Sequence, residues 1–281
     1  MVKKILSYSY VYLILLLMYV PIFVLIVFSF TNATYIGEWN GFSLQLYKAL
    51  FQDEEIMIAL GNTLIIALIS SLVSTVLGTL GAIGAFYSKR RARNAIENVN
   101  QIPVVNSEIV MALSLTVMFV FIGNVIFHKN IFSFWTLLIG HIAISAPFVY
   151  LNVKPKLAQM DPNLYEAALD LGAAPRTALR KVLVPQIIPG IVSGFLLAFT
   201  LSLDDFIVTA FTRGPGLLSG EGAIETLSTL VQVKLKKGPI PMNMRPLTTI
   251  IFLIVLTAAL IITAVKNKNS RKTKSRKGRT Y

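Results

Sequence analysis

Apolar side chains dominate six stretches of the 281-residue chain, and polar residues gather in the intervals between them. The stretches run over residues 5–30, 62–87, 104–127, 132–150, 187–211 and 246–265. Each is close to the roughly 20 helical residues that cross a hydrocarbon core. In lipid only a helix satisfies every backbone N–H and C=O within its own segment, so the pattern predicts an all-α membrane protein with six transmembrane helices. The first stretch follows Lys3 and Lys4 but outruns the ~7–15 apolar residues of a cleavable signal, and it is read as a retained span. The second carries small side chains at four-residue spacing: Ser70, Ser74 and Gly78 on one stripe, Ala67, Ser71, Thr75 and Thr79 on its neighbour. Such stripes let backbones approach closely, which predicts a central helix.

Composition agrees with lipid as the solvent: 55% of residues are hydrophobic, 14% are charged and the mean hydropathy is +0.69. The net charge of +13 matters through its distribution. With both termini on one side, that side takes Lys3 and Lys4, the Lys89, Arg90, Arg91 and Arg93 group, then Lys154, Lys156, Arg176, Arg180 and Lys181, and the tail. These are most of the 26 Lys and Arg, so the positive-inside rule predicts cytoplasmic termini, although the opposite loop at 212–245 is itself cationic. The basic tail at 266–281 is expected to be disordered and to meet anionic lipid headgroups. No aromatic platform accompanies it, so nucleic acid is not its expected partner.

With no cysteine, disulfides, thiol nucleophiles and cysteine-ligated metals are excluded. His128 and His141 are too few and too far apart for a metal site or a triad, and are read as an interface and a core residue. Glu108 is read as an interfacial or inter-helix partner at the start of the third span. The chain has no Gly-x4-Gly-Lys-Ser/Thr loop and so lacks the usual cradle for ATP.

Between the fourth and fifth stretches lies a patterned polar segment. Asp161 is placed to cap a helix with Pro162 at its first position, and that helix is expected to end at Gly172. Ala174-Pro175 restarts the chain in a second short helix, with Leu179, Val182 and Leu183 on one face, until Pro185 stops it. The sequence Glu166-Ala167-Ala168, with Gly172 six residues after the Glu and then Val182-Leu183-Val184-Pro185, resembles the EAA motif of ATP-binding-cassette importer permeases. That family prefers Ile and Leu where this chain has Val182 and Val184. The resemblance implies a type I importer permease fold: a transmembrane permease domain over 1–265 with a cytoplasmic coupling loop at 154–186 and an extracellular loop at 212–245. It implies that Glu166, Ala167, Ala168, Gly172, Leu179, Val182 and Pro185 dock on a cytoplasmic ATPase. The chain is then a transport subunit and no enzyme, with no cofactor of its own, and ATP and magnesium sit on the ATPase.

The fifth stretch holds Asp204 and Asp205 next to Phe206. An ionised carboxylate at mid-membrane costs about 2.5–3.5 kcal/mol even on the lenient insertion scale, so it faces protein or water. It serves either a pathway or a lateral pair with a neighbouring helix. On a continuous helix adjacent positions lie about 100° apart, so one acid at most points into a given pathway. The run Phe199 to Val208, then Arg213-Gly214-Pro215-Gly216, and Glu108 to Leu115 resemble the spermidine/putrescine permease subunits of that family. This implies a polyamine cargo, with Asp204, Asp205 and Phe206 along its path. It also implies three partners in the cell membrane: a second (PotB-like) permease, a (PotA-like) ATPase dimer and an extracellular (PotD-like) binding protein. Arg245 stands where those subunits carry Asn, the loop at 216–241 is longer, and permeases for iron or other small ions share much of this helix. An autonomous channel or carrier would show inverted repeats with paired broken helices, and none is read here. A membrane scaffold would give the intramembrane acids no purpose.

Overall fold

Every regular element among the described residues is a helix, as lipid demands of a backbone with no water to bond. The computed structural model describes residues 2–33, 37–161, 163–213, 224–237, 242–254 and 256–257. Five helices are long and apolar enough to cross a membrane, and a shorter apolar helix covers Met244–Ile254. The rest of the sixth stretch, the basic tail, Pro162 and much of the loop at 216–241 lie outside the described residues.

The chain divides into two compact units, one of 1–54 with 237–281 and one of 55–236. In the first, α1 (Val2–Phe28) is apolar on all sides, and none of the Tyr8–Phe28 span is buried, the signature of a helix solvated by lipid. The chain then folds back: Phe30 stacks on Phe42, and Ser29 bonds the Tyr47 hydroxyl at 2.9 Å from α2 (Gln45–Gln52). Arg245 is buried here and donates to the Ala33 carbonyl at 2.8 Å.

The second unit is built round α3 (Glu54–Tyr87), α6 (Phe134–Ala158) and α9 (Val184–Asp204). The small-residue stripe of α3 is buried: Ala67, Ser70, Ser71, Ser74 and Gly78 all face inward. A Cβ on Gly78 would stand 2.7 Å from the Ala146 carbonyl oxygen and from Val149 Cβ. A Cβ on Gly194 of α9 would stand 3.1 Å from Cα of the same Val149. Val149, Tyr150, Val153, Leu157, Leu183 and Ile187 fill the core that these approaches create.

Three predicted boundaries are corrected. The third stretch begins not at 104 but at Glu108, because residues up to Val105 complete a separate helix, α4 (Arg90–Val105), with a break at Asn106 and Ser107 before α5 (Glu108–Phe121). Helix α4, unpredicted, is held to α6 by Glu97, which binds Arg93 Nε and Lys154 Nζ at 2.9 Å each. The fifth stretch is not one helix: α9 ends at Asp204 and α10 (Ile207–Thr212) follows an extended Asp205. Nor does Pro185 stop the helix before it. Short α8 (Pro175–Ala178) passes through a π-turn at Leu179–Leu183 into α9, giving one apolar rod over Pro175–Asp204. The wide turn lies where an α turn would set the Lys181 carbonyl against the proline ring.

Gly78→Val is expected to lower the stability of the assembled protein in detergent by about 1–3 kcal/mol or more, as overpacking does. Gly84→Ala, whose Cβ meets nothing within 4 Å, is expected to cost nothing; heat resistance of the purified protein measures both. The Arg93 hydrogen bond, aided by Lys154, holds the Glu97 carboxyl below its usual range. A depressed carboxyl contributes stability above its unfolded value of about 4.3 and loses it as pH falls through the lower folded value. The groups are solvent-screened, so Glu97→Gln should cost no more than about 1 kcal/mol near neutrality. The gap between variant and wild-type melting curves should close in acid.

A candidate cargo recess and coupling arm

The two helix breaks meet. Glu108, first residue of α5, lines a recess of about 130 Å³ with Thr200, Leu201, Asp204 and Asp205. An adjoining cavity of only about 20 Å³ adds His141, Ile144, Ser145, Ser202 and Val208. Depth follows from helix rise: His141 stands about 20 Å along α6 from Lys154 and about 10 Å from Phe134. Glu108 itself is the first residue of the Glu108–Phe127 span, where the sequence placed it, and the recess beside it extends to His141. Its place in the first turn of α5 favours a carboxylate there, since the helix N-terminus carries partial positive charge.

The two aspartates differ because the helix breaks between them. Asp204 is exposed on the recess, without a hydrogen-bond or ion-pair partner among the described residues. Asp205 is turned onto the next helix: its carboxylate accepts from the backbone N–H of Val208 at 3.2 Å and of Thr209 at 2.8 Å, and from the Thr209 hydroxyl at 3.1 Å. These bonds satisfy donors that the break leaves open. The Asp205 carbonyl accepts from Ser228 Oγ at 2.7 Å, which ties α11 (Leu227–Lys237) to the break. Phe206 sits at the break, half-buried, and lines neither recess. The 100° separation expected on a continuous helix does not apply.

Sequence reasoning read His141 as a core residue, as it is, and Glu108 as an interfacial or inter-helix partner, but assigned neither to a site. His141 is 3% exposed and bonds Ser202 Oγ through Nδ1 at 2.8 Å and Thr209 Oγ1 through Nε2 at 2.9 Å. The signal was available: an ionisable residue inside an apolar span is a site candidate by default, and that rule was applied only to the aspartates.

At the other end of the rod, α7 (Asn163–Asp170) opens with the Asp161 carboxylate accepting from the Asn163 N–H at 2.9 Å. It closes in a Schellman turn: Ala173 N–H bonds the Ala168 carbonyl at 3.0 Å, Gly172 N–H bonds that of Leu169 at 2.9 Å, and Gly172 takes φ +82°. Glu166, Ala167 and Gly172 are exposed, Ala168 is half-buried, and Leu171, which sequence reasoning missed, stands 89% exposed at the tip. Leu179 and Leu183 instead pack into the core, Val182 is half-buried and Pro185 is exposed. The described residues thus bring Glu166 to Gly172 together as a surface arm and root the Leu179–Leu183 turn behind it. Tyr165 meets Tyr87 at the end of α3, with ring centroids 5.2 Å apart.

Comparison with known proteins adds the following. The family model of the binding-protein-dependent transport system inner membrane component matches residues 74–274. The spermidine/putrescine transport system permease protein PotC of Escherichia coli (strain K12) is 30% identical over 270 residues, covering 96% of this chain and 98% of that protein. The putrescine transport system permease protein PotI of the same strain is 32% identical over 200 residues, 71% of each chain. Among solved structures, an amino acid ABC transporter crystallised with histidines superposes with a TM-score of 0.52 at 17% identity, covering 80% of this chain and 96% of that one, a likeness of fold. With the family match spanning most of the chain and PotC aligned almost end to end, the chain belongs to the binding-protein-dependent transport system inner membrane components, as an ABC transporter permease subunit and not an enzyme.

Proposed function

We propose that this chain carries polyamines of the spermidine/putrescine type across the cell membrane by alternating access. The observation that supports this cargo best is the convergence of Glu108, Asp204 and Asp205 on one recess, drawn from two broken helices. Three carboxylates on one recess suit a cargo whose spaced ammonium groups need their lost hydration offset. The names of the PotC and PotI relatives point the same way. The subunit works beside a second permease, which closes the open side of the recess. An ATPase pair holding ATP and magnesium acts below, and an extracellular binding protein delivers the cargo. Both termini are cytoplasmic by the distribution of Lys and Arg.

Coupling uses the arm. Glu166, Ala167, Ala168 and Gly172, with Leu171 at the tip, dock on the ATPase, and Leu179, Val182 and Pro185 join the arm to α9. Because α8, the π-turn and α9 form one rod over Pro175–Asp204, a push on the arm reaches Asp204 as a rigid displacement.

Uptake of radiolabelled spermidine and putrescine by vesicles holding the complete importer tests the cargo. Asp204→Asn and Glu108→Gln are each expected to lower uptake at least about tenfold at equal assembly, the scale of a lost charge-assisted contact. Transport by both variants at the wild-type rate, or a wild-type complex indifferent to either polyamine, rules the cargo out. Gly172→Ala meets no neighbouring atom, so its cost is the positive φ alone, about 1–2 kcal/mol. Ala at 172 and Glu166→Gln should leave the complex assembled while ATP hydrolysis continues without matching uptake. An unchanged ratio of cargo moved to ATP consumed removes the docking role.

A further inference from the structure

The polar groups buried at the break between α9 and α10 form a single chain of hydrogen bonds, whose direction is set by the tautomer of His141. An ionised carboxylate only accepts, so with the His141 proton on Nε2 the Thr209 hydroxyl donates to Asp205, 3.1 Å from Oδ2 and 3.3 Å from the carbonyl oxygen. The Thr209 oxygen is then free to accept from His141 Nε2 at 2.9 Å. With its proton on Nε2 the neutral imidazole offers an acceptor at Nδ1, which takes the Ser202 hydroxyl proton at 2.8 Å. Ser202 in turn accepts from Ser70 Oγ at 2.9 Å. In that tautomer every donor points one way, from α3 through α9 and α6 to α10, and the chain ends on Asp205. Ser70, Ser202, His141 and Thr209 are all under 5% exposed, so water does not compete for these bonds. The charged groups facing His141 are Asp205 from the break and Glu108 from α5, while α3 presents only the Ser70 hydroxyl to this chain. His141 Nε2 stands 3.6 Å from Asp205 Oδ2, too far for a direct hydrogen bond, so its influence passes through Thr209.

We propose that His141, as the neutral Nε2–H tautomer, is a positioning residue: through Thr209 it fixes the Asp205 carboxylate at the rim of the recess and holds the helix break in place. A hydroxyl that itself accepts a hydrogen bond becomes a stronger donor, so the Ser70–Ser202–His141 relay tightens the Thr209 contact with Asp205. The functional half of this inference rests on the reading of Asp205 as a cargo-path residue; the tautomer does not.

The experiment uses the complete importer in vesicles. Nitrogen-15 spectra of the histidine-labelled complex, with the His141 signals identified by their loss in His141→Asn, are expected to show a bare Nδ1 and a protonated Nε2. Thr209→Val should then shift the Nε2 signal. The opposite tautomer, an imidazolium, or an Nε2 signal indifferent to Thr209→Val overturns the relay. Spermidine uptake with saturating binding protein supplies the second readout. His141→Asn is expected to slow it about tenfold, and His141→Gln, whose amide reaches the Nε2 position, to restore most of that loss. In an Asp205→Asn background His141→Asn should add nothing. Losses that multiply would make His141 a packing residue and overturn the positioning role. A wild-type complex that moves no spermidine would sink the cargo reading, and the tautomer spectra would still decide the relay.

Discussion

A carboxylate can stand at mid-span only where the backbone around it remains satisfied, and the fold turns on how Asp205 meets that condition. Ending α9 at Asp204 leaves the N–H groups of the next turn without helical acceptors, and in lipid no water replaces them. The Asp205 side chain replaces them, bonding the N–H of Val208 and of Thr209. One acid is thus committed to the backbone while its neighbour Asp204 stays open on the recess. A continuous α9 would need no such cap, and the same two residues would then be pure cost. The break at Asn106 and Ser107 brings Glu108 to the same recess, so two interruptions of helix together build the one strongly acidic place described in the span.

What transmits force to this place is the absence of an interruption elsewhere. Gly78 of α3 and Gly194 of α9 both close on Val149 of α6, so the three helices pack tightly at one point. The rod from Pro175 to Asp204 carries the surface arm at one end and the acid pair at the other. A loop between arm and span would absorb displacement; the π-turn at Leu179–Leu183 bends the rod without cutting it.

Much of this was legible before any coordinates. The apolar runs located the spans because lipid imposes length and composition together, and the four-residue spacing of Ala67, Ser70, Ser71, Ser74 and Gly78 marked the buried face of α3. The turn at Gly172 was legible because only glycine takes φ +82° without strain. The breaks were not. Hydropathy averages over a window, and neither Asn106-Ser107 nor Asp205-Phe206 is long enough to lower it. Helix α4 was hidden for the opposite reason: its charges suggested a loop, and only the Glu97 contacts with Arg93 and Lys154 disclose what holds it. Pro185 misled because a proline's effect depends on the turn beneath it, which sequence does not display. His141 was legible as a core residue but its bonds were not, because its partners Ser202 and Thr209 come from two other helices.

The central claim is that the recess lined by Glu108, Asp204 and Asp205 is a watery stretch of the cargo path. The chain contains no cysteine, so single cysteines report on it cleanly. The most direct measurement places one at Thr200, in the recess, and one at Leu16, exposed on α1, and treats the working importer with a small cationic thiol reagent. The account predicts that Thr200→Cys is modified, that spermidine with its binding protein and ATP changes the rate, and that Leu16→Cys stays unmodified in lipid. Equal labelling at both positions, or labelling at Thr200→Cys that ignores cargo, would contradict it.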